Sequence, residues 1–143
     1  MKVMIKIPFV FVLLFMIVSC ATTQSTAPEE PSNLPEKYRL DDELEPVEKI
    51  FTIREPRWQE VDEQSIILRA DRRDYYLFVL RRPMDKMYSN PRIALSNKSN
   101  VTPGIDRVYV HPSVNRQGYV IEKIYRLKGR EQAEEIKERF RED

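Results

Sequence analysis

The scarcest residues able to do chemistry in this chain are one cysteine and one histidine, Cys20 and His111. A structural zinc site needs four ligands drawn mainly from Cys and His, and a disulfide needs two cysteines. The sequence therefore excludes an intrachain disulfide, and it predicts neither a metal site nor another cofactor. His111 precedes Pro112 at the end of a predicted strand, where the sequence places no nucleophile or orienting carboxylate beside it. We interpret it as a surface or loop histidine.

The carboxylates do not form a recognisable acid–base pair. The glutamates between residues 131 and 138 share a predicted helix surface with Arg130, Lys137, Arg139 and Arg141, as is typical of a solvated helix face with i,i+4 charge pairs. The sequence contains no Gly-rich phosphate loop, no G-x-S-x-G turn and no H-E-x-x-H helix. These patterns favour a non-catalytic protein.

The most prominent group of like residues is basic and surrounds one predicted hairpin. Its members are Arg69, Arg72, Arg73, Arg81, Arg82 and Lys86. One interpretation is solubility and protection of a sheet edge. The other is a diffuse contact with an anionic surface, worth about 1 kcal/mol per basic residue near a membrane. The return strand of the hairpin is about 20 Å long at 3.3 Å per residue, so we expect two groups of arginines and not one shared pocket.

Cys20 stands at the end of a short apolar run. Lys2 and Lys6 precede twelve residues, Ile7–Val18, that are all apolar if the proline is included. A helix needs about 20 apolar residues to span a bilayer, so this run has the length of a signal-peptide core. The run leads into Ile17-Val18-Ser19-Cys20, which places a small residue before a thiol.

This tetrapeptide resembles the lipobox of bacterial lipoproteins. The resemblance implies cleavage between Ser19 and Cys20, a diacylglycerol thioether on Cys20 and acylation of its new amine, commonly with palmitate. More than one acyl chain gives stable anchoring. Ala21 stands where an Asp commonly retains lipoproteins in the inner membrane, which favours the periplasmic face of the outer membrane over the inner membrane. The alternative is an ordinary signal peptide that happens to contain a cysteine.

We expect three segments: a lipoprotein signal peptide over 1–19, a lipidated cysteine and disordered tether over 20–46, and a small globular domain over 47–143. The tether begins with Thr, Gln, Ser and Pro and has few apolar side chains to offset the entropy of ordering. A short helical stripe from Asp41 onward is possible, although a proline interrupts it. It would consist of Leu40, Leu44, Val47 and Ile50.

The charge is distributed unevenly along the chain. Residues 21–48 contain eight acidic and two basic residues, whereas residues 49–143 contain twenty basic and fifteen acidic ones. A mildly basic domain therefore follows an acidic tether. This bias is too weak to predict nucleic-acid binding, and we expect none.

The patterns of the domain predict an α+β fold, in which a small antiparallel sheet of four or five strands carries a C-terminal amphipathic helix on one face. Tyr75–Leu80 is apolar on both faces and is predicted to be a central strand, paired as a hairpin with Ser65–Ala70. Ala133, Ile136 and Phe140 lie at helical spacing. Trp58 and the strand tyrosines are expected to be core residues, not a platform for stacking ligands. Further strands are predicted over 49–53, 92–95, 106–111 and 119–127.

Scattered positions between Ile50 and Leu127 resemble an uncharacterised family of small Gram-negative envelope lipoproteins, to which no activity is attached. They are Trp58, Ile66, Leu68, Tyr75-Tyr76-Leu77, Asp106-Arg107-Val108 and Ile121-Glu122-Lys123-Ile124. We expect a non-catalytic accessory protein of the cell envelope, held at the membrane through Cys20, whose partner is another envelope protein. The alternative is a module that binds anionic lipid or glycan through the basic hairpin.

Overall fold

The computed structural model describes residues 33–51, 53–54, 56–85, 92–110 and 117–142. The predicted signal peptide, Cys20, Lys86 and His111 lie outside these residues. The described part begins with a 3-10 turn, Glu36–Tyr38, and continues through nine strands and one helix. They are β1 (Glu45–Pro46), β2 (Ile50–Phe51), β3 (Arg57–Asp62), β4 (Ser65–Arg69), β5 (Tyr75–Leu80), β6 (Ile93–Leu95), β7 (Asn100–Val101), β8 (Arg107–Val110), β9 (Tyr119–Leu127) and α1 (Arg130–Glu142).

An antiparallel sheet organises the fold, with the order β3-β4-β5-β9-β8-β6. β1 adds to it by pairing with the end of β9, and β2 and β7 form a separate two-stranded sheet. The predicted α+β class is confirmed. The sheet has more strands than the four or five expected, because short and polar segments also take part in it.

β5 is the central strand, as predicted. It pairs with β4 on one side and β9 on the other, and its side chains alternate between two apolar cores. Tyr76, Phe78 and Leu80 enter one core, while Leu77 and Val79 enter the other. A strand that is apolar on both faces is stable only where both faces are covered.

The helix-side core lies on the face of the sheet that α1 covers. Ala133, Ile136 and Phe140 are buried in it, which confirms the predicted helical stripe. The opposite core lies on the other face of the sheet, and Ile50 and Val101 of the two-stranded sheet belong to it. Trp58 packs against this opposite core as a partly buried residue, as its interpretation as a core residue requires.

The folded part begins earlier than we expected. Leu34, Tyr38, Leu40 and Leu44, placed in the tether by the sequence, are all buried in the helix-side core. Tyr38 is 1% exposed, and its ring meets Phe140 edge to face with 5.7 Å between centroids. A packed segment of this kind belongs to the domain and not to a disordered linker.

The predicted helical stripe from Asp41 does not form. Its four apolar residues separate, because Leu40 and Leu44 enter the helix-side core while Val47 and Ile50 pack with the opposite core. The chain crosses from one face of the sheet to the other at β1, which pairs with Tyr125 and Arg126 of β9. Pro46 favours this extended crossing because it has no N–H to donate within a helix.

The chain divides into residues 1–30, which lie outside the described part, and a compact unit, Pro31–Asp143. The residues of both cores lie between Leu34 and Phe140. The unit Pro31–Asp143, called the folded unit below, therefore has hydrophobic cores of its own, as a domain that folds independently must have.

Candidate functional site

The arginines of the predicted hairpin lie in two places. β4 ends at Arg69, and Arg72 and Arg73 are exposed in the turn that follows. Arg81 and Arg82 come after β5, at the other end of the hairpin. The six residues of β5 separate the two groups by about 20 Å.

The arginines after β5 already contact other side chains. The Nε of Arg81 lies 2.6 Å from a carboxylate oxygen of Glu122 on β9. The guanidinium of Arg82 lies over the ring of Tyr119, with its carbon 4.8 Å from the ring centroid. These contacts connect the end of the hairpin to β9, so the two arginines have a structural role.

The arginine at the end of β4 borders a pocket. Arg69 lies directly opposite Arg57 of β3 and directly opposite Tyr75 of β5. The first turns of α1 line one side of this half-open pocket. The volume is about 260 Å³, and the lining residues are Arg57, Trp58, Gln59, Ile67, Arg69, Tyr75, Arg130, Ala133 and Glu134. We call this the arginine pocket.

The charge of the arginine pocket is unbalanced. Arg57, Arg69 and Arg130 line it, and no carboxylate of the described residues forms an ion pair with any of the three within 4.0 Å. Glu134 supplies the only carboxylate among the described residues that line the pocket. These described residues together carry a formal excess of two positive charges.

A second depression shares Arg69 with the arginine pocket. It has a volume of about 210 Å³ and is lined by Arg54, Arg69, Asp71 and Arg72. Asp71 is partly engaged, because its carboxylate accepts a hydrogen bond from the backbone N–H of Arg72 at 2.6 Å. The basic surface therefore continues from the pocket to the turn of the hairpin.

Sequence reasoning singled out Arg69, Arg72 and Arg73 at this end and missed Arg57 and Arg130. Arg57 lies between the strands predicted over 49–53 and 65–70, and Arg130 lies on the charged surface of the helix. The signal that would have found Arg57 is the strand register, since pairing β3 with β4 puts it opposite Arg69.

A separate cluster of titratable groups surrounds Asp62 at the end of β3. One carboxylate oxygen accepts hydrogen bonds from the hydroxyl of Tyr38 at 2.7 Å and the ammonium of Lys37 at 3.0 Å. The other accepts from the hydroxyl of Ser65 at 2.7 Å and the N–H of Gln64 at 2.9 Å. The carboxylate is fully bonded within the fold.

These contacts shift two pKa values. Burial alone would raise the pKa of Asp62, but the hydrogen bonds that its carboxylate accepts outweigh burial and lower the pKa below its usual value. Burial raises the pKa of Tyr38, and its bond to Asp62 raises it further. The cluster fastens the first described segment to the sheet, which is a structural role.

Asp106, the carboxylate nearest in sequence to His111, is also occupied. It contacts the hydroxyl of Ser96 at 2.5 Å and accepts a hydrogen bond from the N–H of Thr102 at 2.8 Å. It therefore organises the loop between β6 and β8. In the described part of the chain, no group of three or more His, Cys, Asp or Glu residues is arranged to hold a metal ion.

The described residues include no helix with the length and apolar character needed to cross a membrane. A family model described as "Family of unknown function (DUF6491)" matches residues 3–143. No curated protein and no solved structure matches the chain.

Proposed function

The chain belongs to the family of unknown function DUF6491, and we propose that it is a lipid-anchored, non-catalytic accessory protein of the bacterial cell envelope. The observation that carries the proposal is the tetrapeptide Ile17-Val18-Ser19-Cys20 at the end of a short apolar run. The proposed anchor is Cys20, and Ala21 in place of Asp supports a location at the outer membrane, facing the periplasm, over the inner membrane.

The start of the folded unit sets how far the domain reaches from its anchor. Leu34 is the first buried side chain of the described residues, and fourteen residue steps separate it from Cys20. Even fully extended, a chain of that length spans at most about 50 Å. A domain on such a short connection samples partners close to the membrane surface, and the proposed partner is another envelope protein.

Anchoring is tested by intact-mass analysis of the membrane fraction. The wild-type protein should begin at Cys20 and carry the mass of a diacylglycerol and an added acyl chain. Cys20→Ser should remain an unlipidated precursor, while the nearby control Ser25→Ala should be processed like the wild type. A mature protein that begins at another residue and carries no lipid would overturn the proposal.

Partner binding is tested by crosslinking the lipidated protein in intact cells and purifying it. Recovery of one specific envelope protein, reduced by competition with excess folded unit, supports the proposal. Recovery of lipopolysaccharide or peptidoglycan fragments without a protein contradicts it and favours the alternative function.

The alternative is a module that binds anionic lipid or glycan through the hairpin, and the exposure of Arg72 and Arg73 at the turn favours it. The folded unit should bind phosphatidylglycerol vesicles at low salt, and the binding should weaken as salt rises. The double substitution R72Q/R73Q should weaken binding more than the control R81Q/R82Q, which removes the same charge at the other end. Equal effects of the two variants, or no binding by the wild type, would eliminate this alternative.

A further inference from the structure

We infer that the arginine pocket binds a phosphate group. Arg57, Arg69 and Arg130 are the residues that contact the phosphate oxygens. The inference concerns the folded unit alone and does not depend on the lipid anchor. The site differs from the turn of the hairpin, because it is a half-open depression between the edge of the sheet and the first turns of α1.

The first argument is the register of the sheet. Arg57 and Arg69 are directly opposite each other on adjacent antiparallel strands, where Cβ atoms are about 4.5–5.5 Å apart. Like charges in this position destabilise a sheet. Five other basic residues of the described part have a carboxylate partner, namely Lys37, Arg81, Lys123, Arg126 and Arg139. An anion between Arg57 and Arg69 would replace their repulsion with two attractive contacts.

The second argument is the third arginine and its position. Arg130 is the first residue of α1, a helix of 13 residues, and it faces the pocket together with Glu134 one turn later. The amino end of a helix carries a partial positive charge, which adds to that of the guanidinium. Among the described lining residues, three guanidinium groups outweigh the carboxylate of Glu134, so a dianion gains more here than a monoanion.

The third argument is size and donor chemistry. A planar guanidinium donates two parallel hydrogen bonds to the oxygens of a phosphate. The volume of about 260 Å³ is below the usual range for drug-sized ligands, which begins at about 300 Å³. The pocket therefore fits inorganic phosphate or a small phosphomonoester. The side-chain amide of Gln59 adds a polar group to the lining.

The test compares thermal unfolding of the folded unit in sodium phosphate and in sodium chloride of equal ionic strength. A ligand that binds only the folded state raises Tm, and the added stability grows with the logarithm of the ligand concentration once that concentration exceeds Kd. We expect phosphate to raise the Tm of the wild type. Arg69→Gln and Arg57→Gln should each weaken phosphate binding at least tenfold by calorimetry. The control Arg73→Gln removes the same charge from the neighbouring turn and should change Kd less than twofold.

A second measurement keeps the test decisive if binding is weak. In chloride, Arg69→Gln should unfold at a higher urea concentration than the wild type, because the substitution removes the repulsion with Arg57. In phosphate, the order should reverse. A lower midpoint for Arg69→Gln in both salts would overturn the inference, since Arg69 would then stabilise the fold without any anion.

Vesicles distinguish free phosphate from a lipid headgroup as the source. If phosphatidic acid vesicles bind the wild type and lose binding in Arg69→Gln but not in Arg73→Gln, the pocket accepts the phosphomonoester of a lipid. If only inorganic phosphate shows this pattern, the ligand is soluble. Equal losses in Arg69→Gln and Arg73→Gln would show diffuse attraction to charge and would overturn the pocket as a site.

Discussion

Asp62 shows how one side chain fastens the start of the folded unit to the sheet. Its carboxylate joins Tyr38 and Lys37 of the first described segment to Ser65 of β4. Side-chain accessibility is 12% for Asp62, so water competes little for these bonds. A hydrogen bond to a charged group contributes about 1.5–3 kcal/mol under such conditions.

We therefore predict a pH-dependent loss of stability in Asp62→Asn. The lowered pKa of Asp62 in the folded state means that its contribution is fully present above the unfolded pKa of about 3.9. The contribution is lost as the pH falls through the lower folded pKa. Urea unfolding should show a loss of about 1–3 kcal/mol for Asp62→Asn at pH 7, with the difference from wild type shrinking below pH 4.

The control is Asp42→Asn, which changes an exposed carboxylate in the same segment. It should stay within about 0.5 kcal/mol of the wild type at neutral pH, as exposed substitutions usually do. If Asp62→Asn differs from wild type by the same amount at pH 3 and at pH 7, the ionised carboxylate does not stabilise the fold.

The helix α1 is an element whose contribution can be measured residue by residue. Ile136 is buried in the middle of the helix, and Phe140 is buried close to its end. Ile136→Ala should lower the free energy of unfolding by about 2–4 kcal/mol. Phe140→Ala should cost less than the 3–5 kcal/mol typical of a buried Phe, because fraying near the terminus weakens its packing. The exposed Glu135→Ala is the control, and an unchanged urea midpoint for Ile136→Ala would exclude α1 from the core.

The first described segment gives a second prediction at this scale. A version of the folded unit that starts at Val47 lacks Leu34, Tyr38, Leu40 and Leu44, which are buried in the helix-side core. We expect it to lose cooperative urea unfolding or to unfold at a much lower midpoint than the unit that starts at Pro31. Equal midpoints would show that this segment adds nothing to the stability of the domain.

The elements that the sequence predicted are those with a regular apolar pattern. The alternation of Tyr75–Leu80 and the helical spacing of Ala133, Ile136 and Phe140 correspond to β5 and α1. β3 was missed because it is an edge strand, where polar residues are favoured, and because only Trp58 and Val61 of this strand meet a core, each a different one. A register shift between Glu60 and Asp62 further disturbs its period.

The candidate site was predictable only in part for a related reason. Arg69 stood out because it belongs to a cluster in the sequence, but Arg57 and Arg130 are distant from it along the chain. They meet Arg69 only through the pairing of β3 with β4 and the packing of α1 on the sheet. Periodicity identifies the elements, while the register and the packing of the elements decide which side chains share a pocket.

At the scale of the whole folded unit, the two cores share one sheet. β4, β5 and β9 each contribute side chains to both cores: Ile66 and Ile67 do so from β4, and Ile124 and Tyr125 from β9. Separating α1 from the sheet would expose one face of all three strands. Because the same backbone pairing supports both faces, the cores are expected to form and unfold together.

Trp58 provides the test, because it is the only tryptophan of the chain and it packs against the opposite core. Its fluorescence reports on the opposite core and on β3 beside the arginine pocket, while the far-UV circular dichroism at the helix band reports on α1 itself. The two signals should give the same urea midpoint and the same dependence on urea, as a two-state transition requires. In Ile136→Ala, both midpoints should shift by the same amount, although the substitution touches only the helix-side core. A helix signal that is lost at a lower urea concentration than the Trp58 signal would show that α1 detaches from a sheet that remains folded. The two cores would then unfold independently and not in one cooperative transition.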